Sequence, residues 1–360
     1  MPAVLVAAFS ALVLALGVTP LAIRALRRAH QPIRNELGLA SNEGKQRTPT
    51  MGGIVFIGAT VIAYFVGHLM LTGMTGTFRP TMTGLVLLGL FVGGGFIGLL
   101  DDVLKVVKRH PGGLPGRYKI LGQIVVGAGL GALALYLPNA QGYTVGSQYL
   151  SLARELPWAD IGKIATVVLF VLMVVATSNA VNLTDGLDGL AGGSAAAVTS
   201  GFTLIAFWQY RHWCGAAPEA VACYPVRDPL DIALIAAAVT GALIGFLWWN
   251  TSPAQIIMGD VGALGLGTLL AGFSLATHTV LLLPVICGLF VLVTMSRVIQ
   301  YVSYKTTGVR VFRMSPLHHH FEMAGWSEVT IVVRFWMLAA VAAALAIGLF
   351  FADYLRYAGW

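Results

Sequence analysis

Five aspartates are the residues of this sequence best suited to chemistry, because each lies near the point where a long apolar run begins or ends. The five are Asp101, Asp102, Asp185, Asp188 and Asp260. A carboxylate at the centre of a bilayer costs roughly 2.5–3.5 kcal/mol, so five carboxylates at a membrane edge need compensation by cations. Mg²⁺ takes one or two carboxylates together with phosphate oxygens of a substrate. The pattern therefore indicates a cation site at a membrane surface.

The densest polar stretch is Ser178–Leu190, which separates two apolar runs. Its amide and acidic members are Asn179, Asn182, Asp185 and Asp188. Gly186 and Gly189 allow the backbone to approach a ligand closely. A polar loop in which Asp185 caps the following helix is the alternative. We favour a ligand site, because Asn and Asp recur through the stretch and acidic stretches recur elsewhere in the chain.

The composition is that of a membrane protein, with 57% hydrophobic and only 10% charged residues. We predict an all-α polytopic fold with about ten transmembrane helices, forming one integral membrane domain over residues 1–360. The predicted spans are 3–23, 50–72, 82–100, 120–137, 161–181, 190–208, 230–249, 262–277, 280–301 and 330–351. The net charge of +7 fits basic loops, anionic lipids or anionic substrates, so it calls for no nucleic acid partner.

The distribution of basic residues sets the predicted orientation. The first span has no Lys or Arg before it and Arg24, Arg27 and Arg28 after it, which predicts that both termini lie outside. The inside loops are then 24–49, 101–119, 182–189, 250–261 and 302–329. All five aspartates fall on the inside, although only basic residues were used to orient the chain. An active site on the cytoplasmic face is therefore expected.

Two of these aspartates, Asp101 and Asp102, are adjacent. Neighbours on a helix diverge by about 100°, so we predict that they do not both bind the cation. One would bind the cation or orient a lysine, while the other handles a proton. Lys105 lies one helical turn further on, and its positive charge favours the ionised form of these aspartates. An ionised aspartate suits a base that acts on an acidic phosphate. A salt-bridged helix end is the alternative.

Two further motifs carry candidate ligand-binding side chains. Lys45 precedes a Thr-Pro pair that is typical of a helix start, and lysine binds phosphate as a point charge. His318, His319 and His320 are consecutive, which is unlike the spacing of zinc ligands. We expect the histidines to donate hydrogen bonds to a phosphate or sugar.

The outside loops suggest two structural features. Residues 143–150 could form a short hairpin. Cys214 and Cys223 share an outside loop, where a disulfide is chemically allowed, and both the bridged and the free state are open. Cys287 lies in an apolar run and is expected to be a small core residue.

The ordered motifs resemble one known family over nearly the whole chain. They are Pro49-Thr-Met-Gly-Gly53, Gly98-Leu-Leu-Asp-Asp-Val-Leu-Lys105, Asn179-Ala-Val-Asn-Leu-Thr-Asp-Gly-Leu-Asp-Gly-Leu190, Met258-Gly-Asp260 and Pro316-Leu-His-His-His-Phe-Glu322. Together they resemble the polyprenyl-phosphate N-acetylhexosamine-1-phosphate transferases. The resemblance implies ten transmembrane helices, a cytoplasmic active site, Mg²⁺ as cofactor, a homodimer and the bacterial cytoplasmic (inner) membrane as location.

The histidine motif, with Arg334-Phe-Trp336, resembles one branch of that family in particular. That branch transfers phospho-MurNAc-pentapeptide from UDP-MurNAc-pentapeptide to undecaprenyl phosphate and releases UMP, yielding lipid I. Its uridine site also implies binding of nucleoside inhibitors. A sibling enzyme that uses UDP-N-acetylglucosamine is the nearest alternative, and the histidine motif argues against it. A transporter is a more distant alternative, because its acids would lie deep within spans.

The resemblance also implies roles for particular residues. Asp101 and Asp102 would act at the lipid phosphate, one of them as base, and Asp260 would bind Mg²⁺ with Asp185 beside it. Phosphates would be held by Lys45, Lys105 and Lys119. The nucleotide, sugar and diphosphate side of the site would be formed by Asn179, Asn182, Asp185, Gly186, Leu187, Asp188, Asn250, Gln300, His318, His319 and His320.

Several positions depart from the usual pattern of the family without removing a candidate acid. They are Leu39, Asn42, Arg47, Ile257, Ala263 and Val293. Ile257 stands where an aromatic residue commonly lies against the uracil. We therefore expect this chain to differ from its relatives in sensitivity to nucleoside inhibitors.

Ile257→Phe should raise the affinity for a nucleoside inhibitor at the uridine site, because it supplies the missing ring. Aromatic pairing adds roughly 0.5–1.5 kcal/mol, or about 2- to 12-fold in Kd. Titration of purified wild-type and variant protein measures the change. Ile257→Leu, which adds no ring, is the control, and equal affinity of all three proteins would contradict the expectation.

Overall fold

The computed structural model describes residues 1–28, 48–76, 78–106, 112–216 and 222–359. Its long helices are α1 (Pro2–Arg28), α2 (Gly53–Thr75), α3 (Met82–Val106), α4 (Gly116–Tyr136), α5 (Gly162–Thr184), α6 (Leu190–Arg211), α7 (Pro229–Asn250), α8 (Gly259–Ala276), α10 (Gly288–Thr307) and α12 (Glu328–Ala358). Two short helices complete the set, α9 (Leu283–Ile286) and α11 (Leu317–Glu322). Strands β1 (Tyr149–Ser151) and β2 (Glu155–Asp160) lie between α4 and α5.

Long apolar runs of the sequence form the spans, as predicted. Among the described residues, nine helices are long and apolar enough to cross a membrane, and a bent pair supplies a tenth. The all-α polytopic prediction is confirmed. The helix ends differ from the predicted spans where polar residues continue a helix. Helix α3 runs on to Val106 and α4 begins at Gly116, so the first and last residues of the predicted loop 101–119 are helical.

The predicted span 280–301 is bent and is not one continuous helix. A 3₁₀ turn, Val280–Leu282, and α9 precede a break at Cys287, and the two parts meet at 80°. Cys287 is buried at this break, as expected for a small core residue, but not inside a helix. The bend leaves an apolar cavity between α5, α8 and the start of α10.

Helix α8 lies at the centre of the bundle and is almost wholly buried. Small residues let other helices reach its backbone. A Cβ at Gly98 of α3 would overlap the backbone of Asp260, and one at Gly267 of α8 would overlap Ser178 of α5. These close approaches bring the acidic ends of α3 and α5 to the first turn of α8.

The opposite end of the bundle is tied by polar contacts. Asp231, in the first turn of α7, accepts hydrogen bonds from the hydroxyls of Tyr64 (2.7 Å) and Thr81 (2.8 Å) through Oδ2. The Nε2 atom of His68 lies 3.2 Å from the same oxygen. This buried carboxylate, which the sequence analysis did not single out, joins α2 to α7.

The hairpin at this end is displaced from its predicted place. Strand β1 pairs antiparallel with β2, with Ser151 opposite Glu155, so residues 143–150 supply only part of the first strand. Cys214 and Cys223 form a disulfide, which settles the open alternative. Arg154, between the strands, donates to the carbonyl of Cys223 at 2.5 Å and pairs with Asp353 of α12 at 3.3 Å.

Gly241→Ala should destabilise the protein, because a Cβ there would overlap the carbonyl oxygen of Ala8 where α7 packs on α1. Overpacking of a dense core costs about 1–3 kcal/mol. A thermal unfolding experiment in detergent measures the fall in Tm. Gly17→Ala on α1, where nothing lies within 4 Å, is the matched control. An equal Tm for both variants would contradict this packing.

Candidate active site

Three buried carboxylates form the centre of the site. Asp101 and Asp102, in the last turns of α3, and Asp260, in the first turn of α8, each offer an oxygen within 4.8 Å of the others. That Asp101 and Asp102 do not both bind the cation stays a prediction, although both carboxylates lie beside Asp260. Because α8 lies directly against α3 at Gly98, Asp260 is close enough for both neighbours to reach it.

Two lysines neutralise this cluster from different helices. Lys105 of α3 pairs with Asp101 and lies 3.1 Å from Oδ2 of Asp260. Lys119 of α4 lies 2.7 Å from the same Asp260 oxygen and 2.9 Å from Asp101. The expected compensation by lysine is confirmed for Asp101, Asp102 and Asp260. These ion pairs join α3, α4 and α8, so they extend beyond the alternative of a salt-bridged end of α3 alone.

The two members of the adjacent pair have different surroundings. Asp101 contacts both lysines and accepts a hydrogen bond from the backbone of Leu114 at 2.6 Å. Asp102 accepts one from the backbone of Val261 at 3.3 Å, and Lys105 lies 3.9 Å away. Asp102 is therefore the less strongly paired of the two.

The amides of α5 divide between two partners. Asn182 donates to Oδ1 of Asp260 at 2.8 Å and so brings α5 into the cluster. Asn179 donates to the carbonyl of Val175 at 2.7 Å and to buried Gln123 of α4 at 3.2 Å. Gln123 was missed by the sequence analysis, although a glutamine inside an apolar helix is itself a signal.

The loop of residues 185–189, called here the donor loop, follows α5. The backbone N–H of Asp185 donates to the carbonyls of Val181 and Asn182, at 3.1 and 3.3 Å. Burial, and then the charges of Asp260, Asp102 and Asp188, raise the pKa of Asp185 to about 7. A cation beside Asp185 would favour its charged form. Asp185 ends α5 rather than capping α6, so the helix-cap alternative is wrong.

The three histidines point in different directions from α11. His318 is buried, and its Nε2 fills the space where a Cβ of Gly186 would lie. His319 pairs with Glu322 of the same helix. His320 accepts a hydrogen bond through Nδ1 from the backbone of Arg313 at 3.1 Å. His318 is thus the histidine that reaches the donor loop.

Two predicted polar members of the site hold loops in place. Asn250, the last residue of α7, donates to the carbonyl of Ile256 at 2.8 Å. Gln300 exchanges two hydrogen bonds with the backbone of Phe312, of 3.1 and 2.9 Å. Lys45 lies outside the described residues, as do Leu39, Asn42 and Arg47.

The motif at residues 49–53 pairs with the segment that precedes α8. The backbone of Ile257 donates to Pro49 at 2.8 Å and accepts from Gly52 at 2.9 Å. Gly53 donates to the carbonyl of Met258 at 2.9 Å. Ile257 is half-buried at this junction, beside the first turn of α8.

The residues present fit a hard divalent cation. Asp101, Asp102 and Asp260 offer carboxylate oxygens, which Mg²⁺ prefers, and the oxygens lie close enough together to share an ion. Asp185 does not belong to this set of three, but the charge of Asp260 is near enough to raise the pKa of Asp185. Its assignment as a second metal ligand stays a prediction.

Comparisons with known proteins agree with this geometry. Residues 82–278, which include all five aspartates, match the model of glycosyl transferase family 4. The chain is 57% identical to a phospho-N-acetylmuramoyl-pentapeptide-transferase of Salinispora arenicola, covering 100% of both chains. It is 49% identical to that of Streptomyces avermitilis over 97% of this chain and 96% of the relative. The chain belongs to glycosyl transferase family 4 and, within it, to the phospho-N-acetylmuramoyl-pentapeptide-transferases. The family resemblance read from the motifs is thereby confirmed.

Asp102→Asn should weaken binding of Mn²⁺, used as a probe for Mg²⁺, because it removes one charge from the cluster. The loss should be roughly 10- to 100-fold in affinity. Electron paramagnetic resonance of the free ion measures binding without substrate or turnover. Asp160→Asn, on β2, is the control with the same change in charge. Unchanged affinity in Asp102→Asn would mean that the charge of Asp102 does not contribute to cation binding.

Proposed function

We propose that the chain transfers phospho-MurNAc-pentapeptide from UDP-MurNAc-pentapeptide to undecaprenyl phosphate, yielding lipid I and UMP. The observation that carries the proposal is the meeting of three carboxylates and two lysines at one end of the bundle. A phosphoryl transfer between two anionic substrates needs groups of both signs at one place. The full-length relatives bear the name of this activity.

The lysines would bind substrate phosphates. Lys105 and Lys119 share one oxygen of Asp260, so an incoming phosphate would compete with that carboxylate for both ammonium groups. Their release from Asp260 would leave its carboxylate available to a cation. Substrate binding and cation binding would therefore support each other.

Asp102 is the base in this proposal. It makes one long lysine contact, whereas Asp101 is held by both lysines and by Leu114. The proton of the acceptor phosphate would pass to Asp102. The acceptor oxygen would form a bond to the β-phosphorus of the donor, and the bond from that phosphorus to the bridging oxygen would break, releasing UMP.

Mg²⁺ would be held by Asp260, with Asp185 beside it and Asn182 orienting the Asp260 carboxylate. When bound, the ion would neutralise phosphate charge in the transition state. Asn182 fixes one oxygen of Asp260 at 2.8 Å and leaves the other facing the lysines. The carboxylate is thus oriented before any ligand arrives.

The polyprenyl chain would enter through the apolar cavity at the bend of α9 and α10. The cavity has a volume of about 270 Å³, and its lining includes Met173 and Val181 of α5, Leu270 of α8 and Phe290 of α10. Val181 directly precedes Asn182, which contacts Asp260. One helix therefore leads from an apolar wall to the site, as a lipid phosphate requires.

The remaining parts of the proposal rest on the family resemblance. They are a bacterial cytoplasmic membrane location, a homodimer, one integral membrane domain, and a uridine site that accepts nucleoside inhibitors. The donor loop, with His318 beside Gly186, is assigned to the nucleotide and diphosphate end of the donor.

Purified protein should form lipid I and UMP from UDP-MurNAc-pentapeptide and undecaprenyl phosphate only when Mg²⁺ is present. Asp260→Ala should lose this activity, because the proposed cation site is then incomplete. Asp160→Ala, on β2, is the control. UDP-N-acetylglucosamine is tested as a parallel donor, and product from that donor alone would overturn the proposal.

A further inference from the structure

The cytoplasmic half of α12 lies behind the donor loop. Glu328, Val332 and Trp336 are spaced by four residues, so they share one face of the helix. Ser327 caps the helix by accepting a hydrogen bond from the backbone of Thr330, which fixes where α12 begins. The position of Glu328 in the first turn is therefore well defined.

Glu328 holds the middle of the donor loop. Its Oε1 atom accepts a hydrogen bond from the backbone of Asp188 at 2.8 Å. The side chain of Asp188 in turn accepts one from the backbone of Ala254 at 3.0 Å. Asp188 is thus fixed between α12 and the segment that leads to Asp260.

Trp336 holds the end of the same loop. Its indole Nε1 donates to the carbonyl of Gly189 at 3.1 Å. Gly189 has a φ of 77°, a conformation that favours glycine. The indole also occupies the space where a Cβ of Gly193 would lie, so this approach requires glycine there.

An apolar contact lies between these two hydrogen bonds. Leu187 is buried in a cluster with Ile331, Val332 and Phe335 of α12. Three successive loop residues, 187 to 189, are therefore anchored to one helix. The first two, Asp185 and Gly186, are left to face Asp260 and His318.

We propose that Glu328 and Trp336 are positioning residues for the nucleotide of the donor. They fix the backbone of the donor loop in its binding conformation. The entropy cost of ordering the loop is then not subtracted from the free energy of nucleotide binding. They act through the loop and not on the reacting phosphates. The inference rests on the proposed function, because that function assigns the loop to the donor.

The test compares Glu328→Ala, Glu328→Gln and Trp336→Phe with the wild type, varying each substrate in turn. Loss of a hydrogen bond to a charged group should raise the donor KM in Glu328→Ala by roughly tenfold. The KM for the lipid acceptor should stay unchanged. Glu328→Gln keeps an acceptor oxygen and should recover most of the loss. Trp248→Phe, at an exposed position of α7, is the control for the tryptophan change.

Calorimetric titration with UMP gives a readout that does not require turnover. Weaker UMP binding by Glu328→Ala and Trp336→Phe, at unchanged acceptor KM, would support the inference. A lower rate per total protein with unchanged donor KM and unchanged UMP affinity would indicate a purely structural role and overturn it. A Gln variant as impaired as the Ala variant would also count against it. Failure of the wild type to use either sugar donor would instead overturn the proposed function.

Discussion

The close approach of α3 to α8 is the constraint on which the site depends. Gly98 leaves no room for a side chain against Asp260, so three carboxylates meet where they are buried. Such a concentration of negative charge is stable only with cations in contact. Lys105 and Lys119 supply them from two helices. Packing of small residues thus decides the electrostatics of the site, which carries carboxylates that suit a cation and lysines that suit a phosphate.

The site joins elements that are far apart in the sequence through a few directional contacts. Asn182 connects α5 to α8, and Asp188 connects the donor loop to Ala254 in the segment that leads to α8. The 49–53 motif pairs with the segment just before α8. Because these contacts converge on the first turn of α8 and the segment before it, a shift of that turn would disturb the carboxylate cluster, the 49–53 motif and the donor loop together.

The sequence was sufficient for the spans, because apolar length determines them, and for the meeting of Asp101, Asp102 and Asp260 at one end of the bundle, because each lies at the end of a long apolar run. The side of the membrane on which they lie stays a prediction from the basic residues. It was insufficient where geometry depends on contacts between helices. The convergence of Asp101 and Asp102 on Asp260 follows from how closely α8 approaches. The bend near Cys287 did have a marker in the sequence, because Pro284 lies inside the predicted span 280–301 and an interior proline kinks or breaks a helix. Lys105 and Asp101 are four residues apart and could be paired from sequence, whereas Lys119 and Asp260 are 141 residues apart and could not.

Helix α12 has a consequence for how the protein sits in lipid. Its first turn is tied to the donor loop through Glu328, and its other end is tied to the hairpin through Asp353 and Arg154. The rise between these ties is about 38 Å, compared with about 30 Å for a hydrocarbon core. A helix tied at both ends cannot change its tilt without moving the donor loop and the hairpin, so a mismatch with the bilayer thickness would load these two ties. Acyl chain length therefore acts on the same helix that forms one wall of the donor loop, which makes bilayer thickness a physical variable of this site.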